Sequence, residues 1–94
     1  MGPRMSAAAD LAPRLARARF RAWHRGTREA DYIVGGFFDA YHEHWDEAAL
    51  AWFEALLDTD DPDLLAWTIG SAAPPAKLAG PWMDALRRLD YVRI

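Results

Sequence analysis

Apolar residues recur every three or four positions in five successive segments of this chain, and this spacing constrains the fold more than any other feature of the sequence. The broadest pattern contains Ile33 and Phe37, with Val34, Phe38 and Tyr41 in an adjacent row. No segment alternates convincingly between apolar and polar residues, as a half-buried strand would. Short connections force neighbouring helices to run in opposite directions. The sequence therefore predicts an all-α protein, a compact antiparallel five-helix bundle.

Local signals in the sequence predict where these helices begin and end. The first pattern starts at Leu11, so we expect residues 1–10 to form a flexible N-terminal tail and residues 11–94 to form a single domain. A glycine after an apolar pattern ends a helix, whereas an aspartate or a glycine–proline pair before one begins a helix. The boundary residues predicted on this basis are Gly26, Asp46, Asp61, Gly70 and Pro81.

Three residues of the first two helices depart from an ordinary core pattern. Gly35 and Gly36 each cost a helix about 0.5 to 1 kcal/mol. We therefore expect their lack of a side chain either to admit a neighbouring helix or to produce a kink. Four of the five tryptophans lie in or beside apolar stripes and are expected in the core. Trp23, which lies among the arginines, is the tryptophan for which we expect a functional role.

Charge is divided unevenly along the chain, whose net charge is −3. Residues 1–28 carry a net charge of +6, residues 29–63 carry −11 and residues 64–94 carry +2. A stripe on one face of the first helix, continuing beyond it, consists of Arg14, Arg17, Arg21, Arg25 and Arg28. Such a stripe can attract a partner of opposite charge. It also fits the phosphates of a nucleic acid, although an isoelectric point near 5.5 and the acidic middle segment disfavour that partner.

The sequence offers no set of residues that fits a catalytic or metal centre. Without cysteine it has no disulfide, thiolate nucleophile or cysteine zinc site, and a reducing cytoplasm is the expected location. His42 and His44 are two positions apart, so they point to nearly opposite sides of a helix. The acidic run from Asp58 to Asp63 lacks the glycine and the glutamate of a calcium loop. We expect a protein that is not an enzyme, holds no metal or cofactor of its own and does not insert into a membrane.

One short segment, at the junction of the positive and negative regions, has two interpretations. In the structural one, Gly26 forms a turn between helices and Glu29 caps the second helix by accepting a hydrogen bond from the backbone N–H of Gly26. In the functional interpretation, the turn exposes the hydrogen-bond donors of an arginine guanidinium beside a carboxylate at a helix N-terminus. Such a combination suits recognition of a partner. The candidate partner-binding residues are Arg25, Gly26, Arg28, Glu29 and Asp31.

Two motifs in the chain resemble the family of FAD assembly factors of succinate dehydrogenase. The first is RGTRE at residues 25–29, which carries an arginine-glycine-x-x-glutamate signature and is followed by Asp31. The second is LDTDDPDL at residues 57–64, ahead of Trp67. The resemblance extends over residues 19–89, and the fold that it implies is a five-helix bundle.

The resemblance also implies a function and a partner. Members of the family assist covalent attachment of FAD to a histidine of the flavoprotein subunit of succinate dehydrogenase, and in bacteria they also serve fumarate reductase. By resemblance, Arg25, Gly26 and Glu29 contact the flavoprotein near its flavin, with Arg28 and Asp31 beside them. The partner supplies the flavin and the histidine. The resemblance thus implies a chaperone of respiratory complex assembly that uses no catalytic residue and no cofactor of its own, and we expect this chain to be a monomer.

Two other binding functions stay open at this point. The family has also been labelled an antitoxin component, so a small antitoxin-like binding protein is the first alternative. The second is a nucleic-acid-binding adaptor that uses the N-terminal arginine stripe. Affinity capture separates the three functions, because a flavoprotein, a small toxin and an RNA differ in size and chemistry.

Overall fold

Five α-helices follow one another in the computed structural model, which describes residues 3–93 and, for side chains, residues 11–93. Short 3-10 turns precede the third and fifth helices, and these residues contain no strand. The predicted fold class, an all-α antiparallel five-helix bundle, is therefore confirmed. The helices are α1 (Pro3–Trp23), α2 (Arg28–Tyr41), α3 (Glu47–Leu57), α4 (Asp61–Ile69) and α5 (Pro81–Arg88).

Helix α2 supplies the centre of the core, as the breadth of its apolar face predicted. Phe37 is fully buried, and Val34 and Phe38 beside it are also removed from solvent. Burial of such side chains is the main favourable contribution to folding. Around Phe37 lie aromatic rings from the rest of the chain, those of Tyr41, Trp45, Trp52, Phe53, Trp82 and Tyr91.

Gly35 has the first of the two roles predicted for the glycine pair in α2, close approach by a neighbouring helix. A Cβ atom built on Gly35 would lie 2.2 Å from Cδ2 of Trp23, whose indole comes from the end of α1. A Cβ atom on Gly36 would lie 3.5 Å from the Tyr91 ring, which is an ordinary contact distance. Gly35 therefore provides the space into which the Trp23 indole packs.

The helix boundaries follow the sequence signals with two differences. Asp46 caps α3, its Oδ1 accepting a hydrogen bond from the N–H of Ala49 at 2.9 Å, and Gly70 ends α4 with φ of 85°. The N-cap of α4 is Asp60, so the prediction of Asp61 was wrong by one residue. Helical backbone starts at Pro3 rather than at Leu11. A flexible tail at residues 1–10 stays a prediction.

Candidate functional site

The turn between α1 and α2 is shaped by a glycine and a threonine. Gly26 has φ of +117°, a backbone conformation that residues with a side chain rarely adopt. Thr27 is extended, and its Oγ1 accepts a hydrogen bond from the N–H of Ala30 at 3.2 Å, so Thr27 is the N-cap of α2. Glu29 lies in the first helical turn and makes no side-chain hydrogen bond with residues 11–93. The structural interpretation of Glu29 as the cap was therefore wrong.

Arg25 holds this turn against the other half of the molecule. Its Nε donates a hydrogen bond to Oδ1 of Asp61 at 2.9 Å, and Nη2 lies 2.8 Å from the same carboxylate oxygen. Nη1 donates to the carbonyl of Leu57 at 2.6 Å, and Nη2 also donates to the carbonyl of Thr59. These acceptors lie where α3 ends and α4 begins. The Arg25 side chain, 8% exposed, thus joins the turn to the α3–α4 junction.

Asp31 fixes the same turn from the side of α2. Its Oδ1 accepts a hydrogen bond from the backbone N–H of Arg25 at 2.6 Å. The backbone of Arg25 is thereby tied to α2, while its side chain is tied to α3 and α4. We refer to these contacts of Arg25 with Asp31, Leu57, Thr59 and Asp61 as the Arg25 clamp. Asp31 and Asp61 are both partly buried, which shields their hydrogen bonds from competing water.

The structure brings all five predicted site residues to one turn and divides them into two groups. Gly26, Arg28 and Glu29 are exposed on the outer surface, whereas Arg25 and Asp31 are held by the clamp. Beside the outer residues lies an open concavity of about 480 Å³ that reaches Trp23 and Tyr32. The turn therefore presents a fixed surface. Contact of these residues with a partner stays a prediction.

The arginine stripe is largely paired within the chain, which differs from the free stripe that the sequence suggested. Nη2 of Arg14 lies 2.7 Å from Oε1 of Glu54, and this hydrogen bond holds the pKa of Glu54 below its usual value. Nη2 of Arg21 lies 2.8 Å from Oδ1 of Asp58. Arg14, Arg21 and Arg25 thus pair with carboxylates of the acidic middle segment. The segments of opposite charge are complementary surfaces of one molecule.

Sequence reasoning missed the role of Asp61 in the site. Its position in the LDTDDPDL segment was interpreted as a helix cap, and its pairing with Arg25 was not foreseen. The two residues are 36 positions apart, and helical periodicity carries no information at that range. The available signal was the co-occurrence of two separate motifs, which the structure brings into direct contact.

Comparison with known protein families decides where the chain belongs. A family model described as the flavinator of succinate dehydrogenase matches residues 16–90, which include both the exposed turn and the acceptors of the Arg25 clamp. The chain belongs to the flavinator family. The resemblance that the two motifs indicated is therefore confirmed.

Individual relatives agree with this family. The chain is 38% identical over 84 residues to an FAD assembly factor SdhE of Acetobacter pasteurianus. The aligned residues cover 89% of this chain and 77% of that protein. It is 43% identical over 49 residues to the FAD assembly factor SdhE of Aliivibrio fischeri, covering 52% of this chain and 57% of the relative. The corresponding protein of Vibrio cholerae is 41% identical over 49 residues, with the same coverage. No solved structure matches the chain.

The part of the chain that the structure describes lacks two further features. Within it, no group of three or more His, Asp or Glu residues is placed to hold a metal ion. None of its helices combines the length and the apolar character needed to cross a membrane.

Proposed function

We propose that this chain is an assembly factor that binds the flavoprotein subunit of succinate dehydrogenase and promotes covalent attachment of FAD to it. Membership of the flavinator family and similarity to FAD assembly factors support this function. The cofactor is held by the partner, and the chain acts as a binding protein rather than as an enzyme. Its monomeric state and its cytoplasmic location stay predictions.

The observation that carries the proposal is an exposed turn that is rigidly supported from inside. Gly26, Arg28 and Glu29 face outward, while the Arg25 clamp fixes the backbone beneath them. A contact surface that is ordered before binding loses little conformational entropy when a partner docks. Arg28 and Glu29 also offer an exposed cation and an exposed carboxylate in the same helical turn, which favours a partner with complementary charges.

Conformational positioning is the mechanism that fits such a surface. When it binds, the chain favours the arrangement of the flavoprotein in which the flavin and the acceptor histidine are close and oriented. Correct placement of two reacting groups accelerates bond formation by a large factor without further catalytic groups. Arg28 and Glu29 act by contact with the partner, and the clamp residues act by holding that contact surface in place.

Glu29→Ala tests the proposal. Glu29 is exposed and is not the cap of α2, so we expect its removal to change the melting temperature little. Capture of the flavoprotein should weaken by about 2 to 5 kcal/mol, because the partner is left with a buried charge that has no counterpart. The measurements are capture of purified flavoprotein and its covalent flavin content, read as fluorescence of the denatured subunit, in cells without their own assembly factor.

Glu43→Ala is the matched control, since Glu43 is also an exposed glutamate but lies in the 3-10 turn that follows the far end of α2. It should support flavin attachment as the unchanged chain does. The proposal fails if folded Glu29→Ala restores covalent flavin fully. Affinity capture from the native host then separates the alternatives, because recovery of a small toxin or of RNA in place of a flavoprotein would assign an antitoxin or adaptor function.

A further inference from the structure

One aromatic side chain on the outer face of α1 is unusually exposed for its size. Phe20 has 64% of its surface open to solvent, and among the described side chains only Ile69 is a comparably exposed large apolar residue. A single exposed apolar residue is common on protein surfaces and needs no function. The surroundings of Phe20 are what distinguish it from Ile69.

Phe20 belongs to an ordered pair of rings. The His24 ring stacks on the Phe20 ring with centroids 4.0 Å apart and an interplanar angle of 14°. Nδ1 of His24 donates a hydrogen bond to the carbonyl of Phe20 at 2.6 Å, which fixes the imidazole in that position. Both rings are therefore ordered although both are exposed. Rigid aromatic surface of this kind gives binding energy at low entropic cost.

The stacked pair is continuous with the exposed turn. His24 borders the concavity that reaches Gly26 and Arg28, and it also borders a second one, of about 260 Å³, that it shares with Phe20 and Leu57. A partner that covers the turn and extends toward α1 would therefore meet the Phe20 ring next.

Charge around the ring indicates the chemistry of its partner. Arg17 is one helical turn from Phe20 and is exposed, and neither Arg17 nor Arg28 pairs with a carboxylate of residues 11–93. The nearby Arg21 is neutralised by Asp58. Near the ring, the cation left without an ion pair among residues 11–93 is therefore that of Arg17, while Arg28 is the unpaired cation of the adjoining turn. An apolar recess edged by carboxylates is complementary to that surface.

We propose that Phe20, stacked on His24, is a second contact with the flavoprotein and enters an apolar recess bordered by acidic residues of that partner. This inference rests on the proposed function and names a further part of the same docking surface. Phe20 anchors the partner, and His24 is a positioning residue that holds the ring.

The proposal is tested by comparing how the Phe20→Ser and Ile69→Ser variants bind the flavoprotein. Both side chains are exposed, at 64% and 74%, so both variants should melt close to the unchanged chain. Binding to purified flavoprotein, measured by biolayer interferometry, should weaken at least about tenfold for Phe20→Ser, as for a central interface aromatic. Ile69→Ser should bind normally, and Phe20→Leu, which keeps an apolar side chain, should recover part of the affinity.

Three other results would contradict the Phe20 contact, and they can be told apart from one another. If Phe20→Ser binds normally while Glu29→Ala does not, the Phe20 contact is wrong and the proposed function stands. If the unchanged chain does not bind the flavoprotein, both are wrong. If sedimentation shows that the chain self-associates and Phe20→Ser abolishes this without affecting flavoprotein binding, the ring is a contact between copies of the chain.

A charge reversal tests the acidic border separately. Arg17→Glu should slow association with the flavoprotein, and the difference from the unchanged chain should shrink as salt is added, since salt screens exposed charges. If Arg17→Glu leaves the association rate unchanged at low salt, the inference that acidic residues border the recess is wrong.

Discussion

Arg25, the first residue of the arginine-glycine-x-x-glutamate motif, uses its guanidinium in contacts within the chain. Its guanidinium donates to one carboxylate and two carbonyls of the same chain, and 8% of the side chain is exposed. The outward charges of the turn are those of Arg28 and Glu29. The motif therefore combines an internal support and two exposed charges within five consecutive residues.

Removal of the Arg25 side chain should cost much more stability than removal of an exposed arginine. Arg25→Ala leaves the partly buried Asp61 carboxylate without its counterion and two carbonyls without a donor, so we expect the free energy of unfolding to fall by about 3 to 5 kcal/mol. Arg21→Ala breaks a solvent-exposed pair with Asp58 and should cost about 1 kcal/mol or less. Urea denaturation measures both. If both variants lost the same small amount of unfolding free energy, a structural role for the Arg25 clamp would be contradicted.

At this scale the sequence identified which residues share the turn but not what each one does. Gly26 was correctly assigned to a turn, because its backbone freedom is a property of the residue itself. The sequence left open whether Glu29 reaches back to the N–H of Gly26 or contacts a partner. The structure has Thr27 as the N-cap, which makes Glu29 the second residue of the helix, whereas the glutamate of a capping box is the third. The partners of the Arg25 side chain could not be predicted, since they lie 32 to 36 positions away in the sequence.

Helices α1 and α2 pack together where the Trp23 indole of α1 lies against the backbone of Gly35 in α2, which has no side chain. This contact explains a glycine in the middle of a helix that is otherwise rich in large apolar residues. The sequence predicted close approach or a kink, and it could not name the neighbour. The predicted functional role of Trp23 is untested, and its packing against Gly35 is a structural one.

The two adjacent glycines of α2 should respond in opposite directions to the same substitution. Gly35→Ala places a methyl group 2.2 Å from Trp23, so the indole or the helix must move, and we expect a loss of about 1 to 3 kcal/mol. Gly36→Ala places it 3.5 Å from Tyr91 and improves helix propensity, so the expected change lies between zero and a gain of about 1 kcal/mol. Thermal melts monitored by circular dichroism compare the stability of the two variants. A neutral Gly35→Ala would mean that the indole has room to move aside.

Element boundaries were predictable wherever one residue type dominated the signal. Asp46 and Gly70 were correct, because one caps by its side chain and the other by its positive φ. At α4, Asp60 and Asp61 both precede a proline that is tolerated early in a helix, so either could be the cap. Asp60 makes no side-chain cap hydrogen bond, which leaves local sequence little basis for choosing between them.

For the molecule as a whole, charge segregation along the chain becomes charge pairing in space. Four arginines of residues 11–28 form five ion pairs with acids of residues 29–63, and the Arg25–Asp61 pair is the most buried of these. The unequal distribution was visible in the sequence. Whether it served a partner or the fold depended on contacts between distant residues, which periodicity does not reveal.

The Arg14–Glu54 pair should give stability a pH dependence in the acidic range. Its hydrogen bond lowers the pKa of Glu54 from the ordinary value of 4.5, so the contribution is fully present above that pH and is lost as pH falls through the lowered pKa. Glu54→Gln should therefore reduce stability at about pH 7, by up to about 1 kcal/mol for such a partly exposed pair. Urea midpoints over a pH series should show this difference shrinking under acidic conditions.

Glu47→Gln is the control for that series, since Glu47 meets the same arginine at 3.4 Å and is far more exposed. It should have little effect at any pH. A deficit of Glu54→Gln that persists unchanged below the pKa of Glu54 would show that the carboxylate contributes through packing rather than through its charge.

The long sequence separation of the Arg25 clamp also sets an order of events during synthesis. The turn is made early by the ribosome, but Leu57, Thr59 and Asp61 follow 32 to 36 residues later, and the intervening loop must close before the clamp forms. The turn therefore becomes rigid only after the chain has been made as far as Asp61. A partner that recognises the rigid turn would pass over nascent chains that end before that residue.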